Sequence, residues 1–404
     1  MRQEIMAGLA AGFGMIPGLV VIPALLMRTG MDFTGAYTAC VLVSIAATLL
    51  FGAWLRLPLA VSCSPALTGW LAYIVILSHG SSWQAALGAS FFASAGALLL
   101  ATKFRGCLAE AVPGHLQELL PAAVGLMLIF LGLMQGRLLL GAPIGMVMPG
   151  NLADPVAFYA LSGIVLTLAL LVWKKPFAIP LGMLLTAVFS FAEGFWVLPA
   201  APFLLPEGLD KVALQLDLEK GLAMPDVILA LLVFQILTVN GMRMALRQQH
   251  GREISWIVFG AGAVGAWVGA FLPVIAQESA IAKAAGAKNG RSAWTVAAVL
   301  GGLLFCEPAM AAFASFPAIT APALAGAGYV LLRSVRHVSL EDPAKLVSGL
   351  ALLLLLPLTQ DFVLGIGLAV IAYGLCRLFQ GRWREISPMV YVLSVVFFVT
   401  LQIR

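Results

Sequence analysis

The sequence predicts an all-α polytopic membrane protein of about 14 segments, built as two inverted seven-segment repeats. Three observations predict it. The 404-residue chain is 62% hydrophobic and only 10% charged, with mean hydropathy +1.03, whereas a soluble domain carries about 25% charged residues. Seven apolar stretches of near-spanning length precede a polar loop at 197–225, and seven follow it. One interrupted pattern also occurs twice: Leu57 to Leu67 reads LPLAVSCSPAL, and 215 residues later Leu272 to Ala282 reads LPVIAQESAIA. An odd number of spans per half turns the second half over in the membrane, as an inverted repeat requires.

In order, the first half has segments at roughly 7–27, 36–55, 58–78, 83–102, 115–135, 155–173 and 176–196. The loop that follows holds Glu207, Asp210, Lys211, Asp217, Glu219 and Lys220. The second half has segments at roughly 226–245, 254–271, 272–288, 291–312, 316–333, 344–359 and 361–379. Met389 to Ile403 is apolar but short of the ~20 residues a span needs, which leaves open a short span or an interfacial helix. The first apolar segment lacks a small-residue cleavage site and reads as a span rather than a signal peptide. Orientation follows from the basic loops. With the N-terminus inside, eighteen of the 23 Lys and Arg fall on the cytoplasmic side. Arg28, Arg137, Lys211 and Lys220 fall outside, and Arg404 depends on the last segment. The expected location is the inner (plasma) membrane, multi-pass, with a cytoplasmic N-terminus.

Segments 3 and 10 are the interrupted ones. Pro273 stops a preceding helix from running through. The residues after Ser279 give about two helical turns before Lys283, Lys288 and Arg291, too few to span. Each interruption therefore reads as an extended piece followed by a half-helix, whose free N–H groups point into the middle of the membrane. Glu278, with Gln277 and Ser279 beside it, is a carboxylate at bilayer depth, costing on the order of 2.5–3.5 kcal/mol on insertion scales unless partnered or wetted. Ser62, Cys63 and Ser64 fall opposite these three in the Leu-Pro alignment. Two interrupted segments in matching positions point to a transporter's substrate site; a kinked span with a structurally paired Glu is the plainer alternative. A second trace pairs Pro121-Ala-Ala-Val-Gly125 with Pro322-Ala-Leu-Ala-Gly326 at an offset of 201.

Other polar groups are weighed the same way. Gln235 and Thr238 lie three apart in segment 8, either bonded to a neighbouring helix or forming a polar wall toward Glu278. Thr68 stands one turn into the half-helix that follows Pro65. Trp70 and Tyr73 read as packing or interface aromatics rather than groups that stack on a substrate. Glu193, Asp226 and Asp361 read as structural, Asp226 suiting a helix N-terminus. Glu307 is open between a helix end and the cavity. The four histidines sit in loops or at span ends. No catalytic constellation appears at one depth, so a membrane enzyme is not expected. The five cysteines show no metal or disulfide spacing, and no cofactor is expected. Gly260, Gly262 and Gly265 lack the βαβ context of a dinucleotide fingerprint. The basic residues lie in short loops between spans, so the net charge of +5 does not indicate nucleic acid.

Several stretches, in order along nearly the whole chain, resemble the AzgA-type purine permeases of the nucleobase–ascorbate transporter superfamily. They are Ala7-Gly8-Leu9, Gly30-Met31-Asp32-Phe33, Leu57-Pro58, Ser82-Trp83-Gln84 and Ala86-Leu87-Gly88-Ala89. Glu278-Ser279, Ala284-Ala285-Gly286, Arg291 and Thr320-Ala321-Pro322-Ala323-Leu324 complete the set. The resemblance implies a core domain of segments 1–4 and 8–11 (residues 1–114 and 226–315). It implies a gate domain of segments 5–7 and 12–14 (residues 115–225, including the polar loop, and 316–404). It further implies proton-coupled uptake of hypoxanthine, guanine or adenine, with the family's purine-binding glutamate matching Glu278. The chain departs from the family at three places. Thr68 stands about where the family has Asn, Ile22-Pro23 replaces Asn-Pro, and no carboxylate lies between Asp226 and Glu253.

The expected substrate site therefore comprises Glu278, Gln277, Ser279, Cys63, Ser64, Thr68, Gln235 and Thr238. Glu278 is also the expected proton carrier, because Gln235 and Thr238 cannot titrate. Expected partners are a purine nucleobase, protons and the bilayer; a homodimer is left open. Transport or facilitation of another small solute or anion, or a membrane sensor that binds without transport, remain the alternatives at this stage.

Overall fold

The computed structural model describes residues 2–103, 112–141, 147–173, 175, 177–197, 199–246, 248, 250–339, 341–385 and 387–403. Arg105, Cys107, Lys174, Arg247 and Arg404, used in the charge and cysteine readings, lie outside the described residues.

The first seven segments are Arg2–Met27, Phe33–Leu55, Pro65–Ser78, Trp83–Lys103, Gly114–Gln135, Pro155–Val172 and Ala178–Ala192. The second seven are Pro225–Ala245, Gly251–Val268, Glu278–Ala284, Arg291–Ser315, Pro317–Leu332, Pro343–Thr359 and Phe362–Phe379. Among the described residues, 8 helices are long and apolar enough to cross a membrane. Local chemistry sets where several begin. Segments 2, 6, 13 and 14 start behind Asp32, Asp154, Asp342 and Asp361, each carboxylate accepting a backbone N–H of the first turn. Pro155 and Pro343 fill the first helical position, where a missing N–H costs nothing.

The interruptions are as expected in kind. Val61–Cys63 is extended, then Pro65 opens a half-helix capped by Ser64. Pro273–Ile275 is extended, then Glu278 opens a helix of 7 residues. The two extended pieces pair antiparallel, Val61 with Ile275, Ser62 with Val274 and Cys63 with Pro273. Exchanging the strands maps Val61 onto Pro273 and Cys63 onto Ile275, an offset of 212 residues with Ser62 and Val274 on the local two-fold. The Leu-Pro alignment, at 215, is three residues out of this register. Cys63 is thus the last strand residue of its repeat, whereas Glu278 opens a helix.

Non-helical backbone at bilayer depth must find partners within the protein. Here Ala276 N–H donates to Ala60 O (2.8 Å), Ala60 N–H to Ser279 Oγ (2.9 Å) and Val61 N–H to Thr48 Oγ1 (3.0 Å).

Segments 5 and 12 form a second reciprocal pair. A Cβ on Gly125 would meet the Gly328 carbonyl at 2.6 Å, and one on Gly328 would meet the Gly125 carbonyl at 2.3 Å. Only glycine allows these backbones so close. Gly132 meets Ala321 and Leu324, so the helices run antiparallel, as repeats of opposite orientation should. In the same way Gly8 and Gly12 of segment 1 lie against Thr295 and Val299 of segment 11.

Two parts differ from, or settle, the sequence reading. Sequence order groups the 197–225 loop with segments 5–7, yet it packs on segments 2, 4, 9 and 11. Leu204 N–H reaches Phe305 O, Thr38 Oγ1 donates to Glu207 O, Lys211 pairs with Asp32, Leu214 N–H reaches Trp267 O and Asp217 N–H reaches Gln84 O. The last helix, Pro388–Ile403, stands alongside segment 14, with Phe397 against Gly367, Tyr391 near Gly374 and Ser394 Oγ donating to Val370 O (3.4 Å). It does not lie across the end of the bundle.

Candidate functional site

The paired strands and half-helices border a cavity of about 110 Å³. For scale, a dry engineered cavity of roughly 150 Å³ holds a benzene ring. Segment 1 contributes Met15, Gly18 and Ile22, close to the break between its helices Arg2–Gly14 and Ile16–Met27. Segment 2 contributes Cys40 and Ser44, and the first interruption Ser62, Cys63, Ser64 and Ala66. Segment 8 contributes Phe234, Thr238 and Met242; the second interruption contributes Gln277 and Glu278. The opposite wall is apolar, from Val124 and Leu128 of segment 5 and Ala323, Leu324 and Ala327 of segment 12.

Most polar groups in this lining are committed within the protein. Ser44 Oγ donates to Cys40 O, Thr238 Oγ1 to Phe234 O, and Cys63 Sγ to Phe271 O. Ser64 Oγ accepts from Leu67 N–H, and Thr68 N–H bonds to Ser64 O. Pro65 has no N–H, so Ala66 carries the free donor of that helix's first turn. Glu278 is half-buried and receives the side-chain amide of Gln277. A carboxylate accepts only, so the Gln277 nitrogen faces it and the oxygen Oε1 faces away. That oxygen is buried without a hydrogen-bond partner. Among the lining residues Glu278 is the single carboxylate, and there is no Lys, Arg or His. The cavity is mainly apolar, and its lining holds one carboxylate, Glu278, together with Ala66, whose N–H opens the half-helix of segment 3.

Five of the eight expected site residues meet here: Glu278, Gln277, Cys63, Ser64 and Thr238. Three do not line the cavity. Ser279 turns its hydroxyl to the Ala60 backbone. Thr68 is buried in the bundle. Gln235 is fully buried on the adjacent face of segment 8, its amide near the point where a Cβ on Gly262 would also meet Ser94. The cavity face of segment 8 runs Phe234, Thr238, Met242, a four-residue spacing that leaves Gln235 outside. Sequence reasoning missed Cys40 and Ser44; their one signal is the same i, i+4 spacing of small polarisable groups in an apolar helix.

Glu307 accepts from Thr34 Oγ1 (3.0 Å) at a helix start and does not line the cavity. Asp361 caps segment 14, and Glu193 accepts from Tyr159 at the end of segment 7. Among the described residues, no group of three or more His, Cys, Asp or Glu is placed to hold a metal ion.

No family model matches the chain. The guanine/hypoxanthine permease PbuO of Bacillus subtilis is 30% identical over 424 residues, covering 99% of this chain and 97% of that protein. The chain belongs to the AzgA-type purine permeases of the nucleobase–ascorbate transporter superfamily. The guanine/hypoxanthine permease GhxP of Escherichia coli O157:H7 is 27% identical over 98% of this permease, and the Escherichia coli adenine permease AdeP is 22% identical over 98% of it. The permease is accordingly a multi-pass membrane transporter of nucleobases and not an enzyme. Its fold resembles the transmembrane domain of the cyanobacterial bicarbonate transporter BicA, with TM-score 0.63 at 16% identity, covering 91% of this chain and 97% of that one. It also resembles SLC26A9, with TM-score 0.66 at 10% identity over 93% of this chain. The permease spans 65% of the SLC26A9 chain, less than two thirds of it. These likenesses give the fold: seven plus seven inverted segments in a core and gate architecture.

Proposed function

We propose that this permease takes up purine nucleobases by proton symport, with the cavity between segments 1, 3, 8 and 10 as the substrate site. One observation carries the reading: Glu278 lines a small, mainly apolar cavity whose described lining residues include no cation. Such a carboxylate accepts hydrogen bonds from ring N–H groups of a planar heterocycle, while the Ala66 N–H donates to a carbonyl or ring nitrogen. The lack of a cation argues against an anionic substrate, which the carboxylate would repel. Guanine, hypoxanthine and adenine, the bases named for the relatives, fit this chemistry.

Segments 1–4 and 8–11 form the core, and segments 5–7 and 12–14 form the gate. The 197–225 loop moves with the core, because its contacts are to segments 2, 4, 9 and 11. Movement of the core against the gate exposes the cavity to each side in turn. A competition screen tests the substrate: hypoxanthine, guanine and adenine displace a bound purine probe, whereas pyrimidines and aromatic acids do not. Displacement by aromatic acids alone would remove the purine reading.

The location we propose is the inner (plasma) membrane, and the excess of Lys and Arg in alternate loops supports an orientation with the N-terminus and Lys175 inside and the 197–225 loop outside. Single cysteines at Gly208 and Gln248, in a background without native cysteines, then react with an impermeant thiol reagent from opposite sides. Reaction from one side only would refute the orientation.

A further inference from the structure

We propose that the hydrogen bond between Trp70 and Asp361 is a latch: it holds the cavity shut on the side where segment 3 ends, and it breaks in each transport cycle. The inference rests on the core and gate assignment above. Trp70 lies in half-helix 3 of the core, between the cavity at Pro65–Ala66 and the far end of the segment at Ser78. Asp361 lies in the turn between segments 13 and 14 of the gate. The indole Nε1–H donates to Asp361 Oδ1 at 3.1 Å, and both residues are buried.

The next residue of the gate completes the closure. Phe362 meets Trp70 edge-on at 6.1 Å between ring centroids and Phe234 at 4.6 Å. Phe234 itself lines the cavity. The contact therefore covers the cavity at that end with one gate residue set on two core residues.

The two halves of the bond are unequal in a way that suits a latch. Asp361 Oδ1 also accepts the Val363 N–H at 2.9 Å, so its own helix fixes the carboxylate whether or not Trp70 is present. Among the described residues the one hydrogen bond given to the indole N–H is that to Asp361, and a buried indole N–H without an acceptor is costly. Closure thus satisfies a donor that opening must expose to water or to substrate. Directly after Trp70 the helix widens into π-type turns over Leu71–Ser78, a geometry frequent at functional positions.

Native Cys63 supplies the measurement, because it lines the cavity. With the other cysteines replaced by Ser, an impermeant maleimide is applied to each face of the membrane in turn, with and without saturating hypoxanthine. Trp70→Phe keeps the ring on Phe362 and removes the donor. Asp361→Ser keeps a capping hydroxyl too short to reach Trp70, so either variant suffices if the other does not fold. Each is expected to raise Cys63 labelling from the segment 13–14 turn side by about 2–10-fold, the worth of one hydrogen bond, and to lower it from the opposite side. A general loosening would raise labelling from both sides and would overturn the latch. Unchanged labelling in both variants, in a protein whose labelling responds to hypoxanthine, overturns it while leaving the alternating cavity intact. Labelling that ignores hypoxanthine and reaches Cys63 from both faces of the unmodified protein overturns both.

Discussion

Glu278→Gln is expected to remove most of the purine affinity, because no other charged acceptor lines the cavity. A hydrogen bond to a charged group contributes about 1.5–3 kcal/mol, so the dissociation constant should rise on the order of 10–150-fold. Gln is nearly isosteric and can still accept through its oxygen, which isolates the charge from the shape of the pocket. The Gln277 amide would lose its anionic partner but can still donate to the oxygen of the new side-chain amide. Equilibrium binding of a labelled purine to purified protein reads the effect, with elution profile and thermal melting as checks on folding. Unchanged affinity in a folded Glu278→Gln protein would dismiss Glu278 as the substrate acceptor.

The sequence exposes the scaffold well because the bilayer imposes few solutions. Backbone in lipid must be helical or paired, so apolar runs of spanning length, Pro65 and Pro273, and Asp residues before segments 2, 6, 13 and 14 mark most elements. Register is less legible. The Leu-Pro identity at Leu57 and Leu272 is a match of letters, whereas the strands pair about Ser62 and Val274, three residues out of step. Side-chain direction is least legible. Ser279 beside Glu278 looks like a ligand, yet its hydroxyl serves the Ala60 backbone, which has no helical partner at that depth. Gln235 and Thr238 look like one polar wall, but a three-residue step rotates by about 60° from a full turn and puts Gln235 toward segments 4 and 9. The 197–225 loop could be placed only by its contacts, because it carries no periodic pattern.

Accumulation of purine driven by a pH gradient alone is the second large effect expected. A proton symporter needs one group that gains a proton on one side and loses it on the other, linked to substrate. In the cavity lining that group is Glu278: Thr238 cannot titrate, no His, Lys or Arg is present among the lining residues, and a free thiol such as Cys40 or Cys63 gives up its proton only near about pH 8.5. Carrying a bare carboxylate through an apolar bundle costs several kcal/mol, so a protonated Glu278 lowers the barrier to core movement. One proton per neutral base caps the gain: about 1.4 kcal/mol per pH unit, or roughly tenfold accumulation in proteoliposomes. Glu278→Gln, fixed in the neutral form, should lose that driven component while exchange down a gradient survives at raised purine concentrations. The same residue would thus bind substrate and proton, and the two losses should appear together. The opposing consideration is specific to this chain: segment 8 presents Thr238 to the cavity and carries no carboxylate between Asp226 and Glu253. If the unmodified protein equilibrates purine but never concentrates it under an inward proton gradient, Glu278 binds substrate without exchanging a proton during the cycle. The permease is then a facilitator, and the missing charge on segment 8 is where coupling was lost.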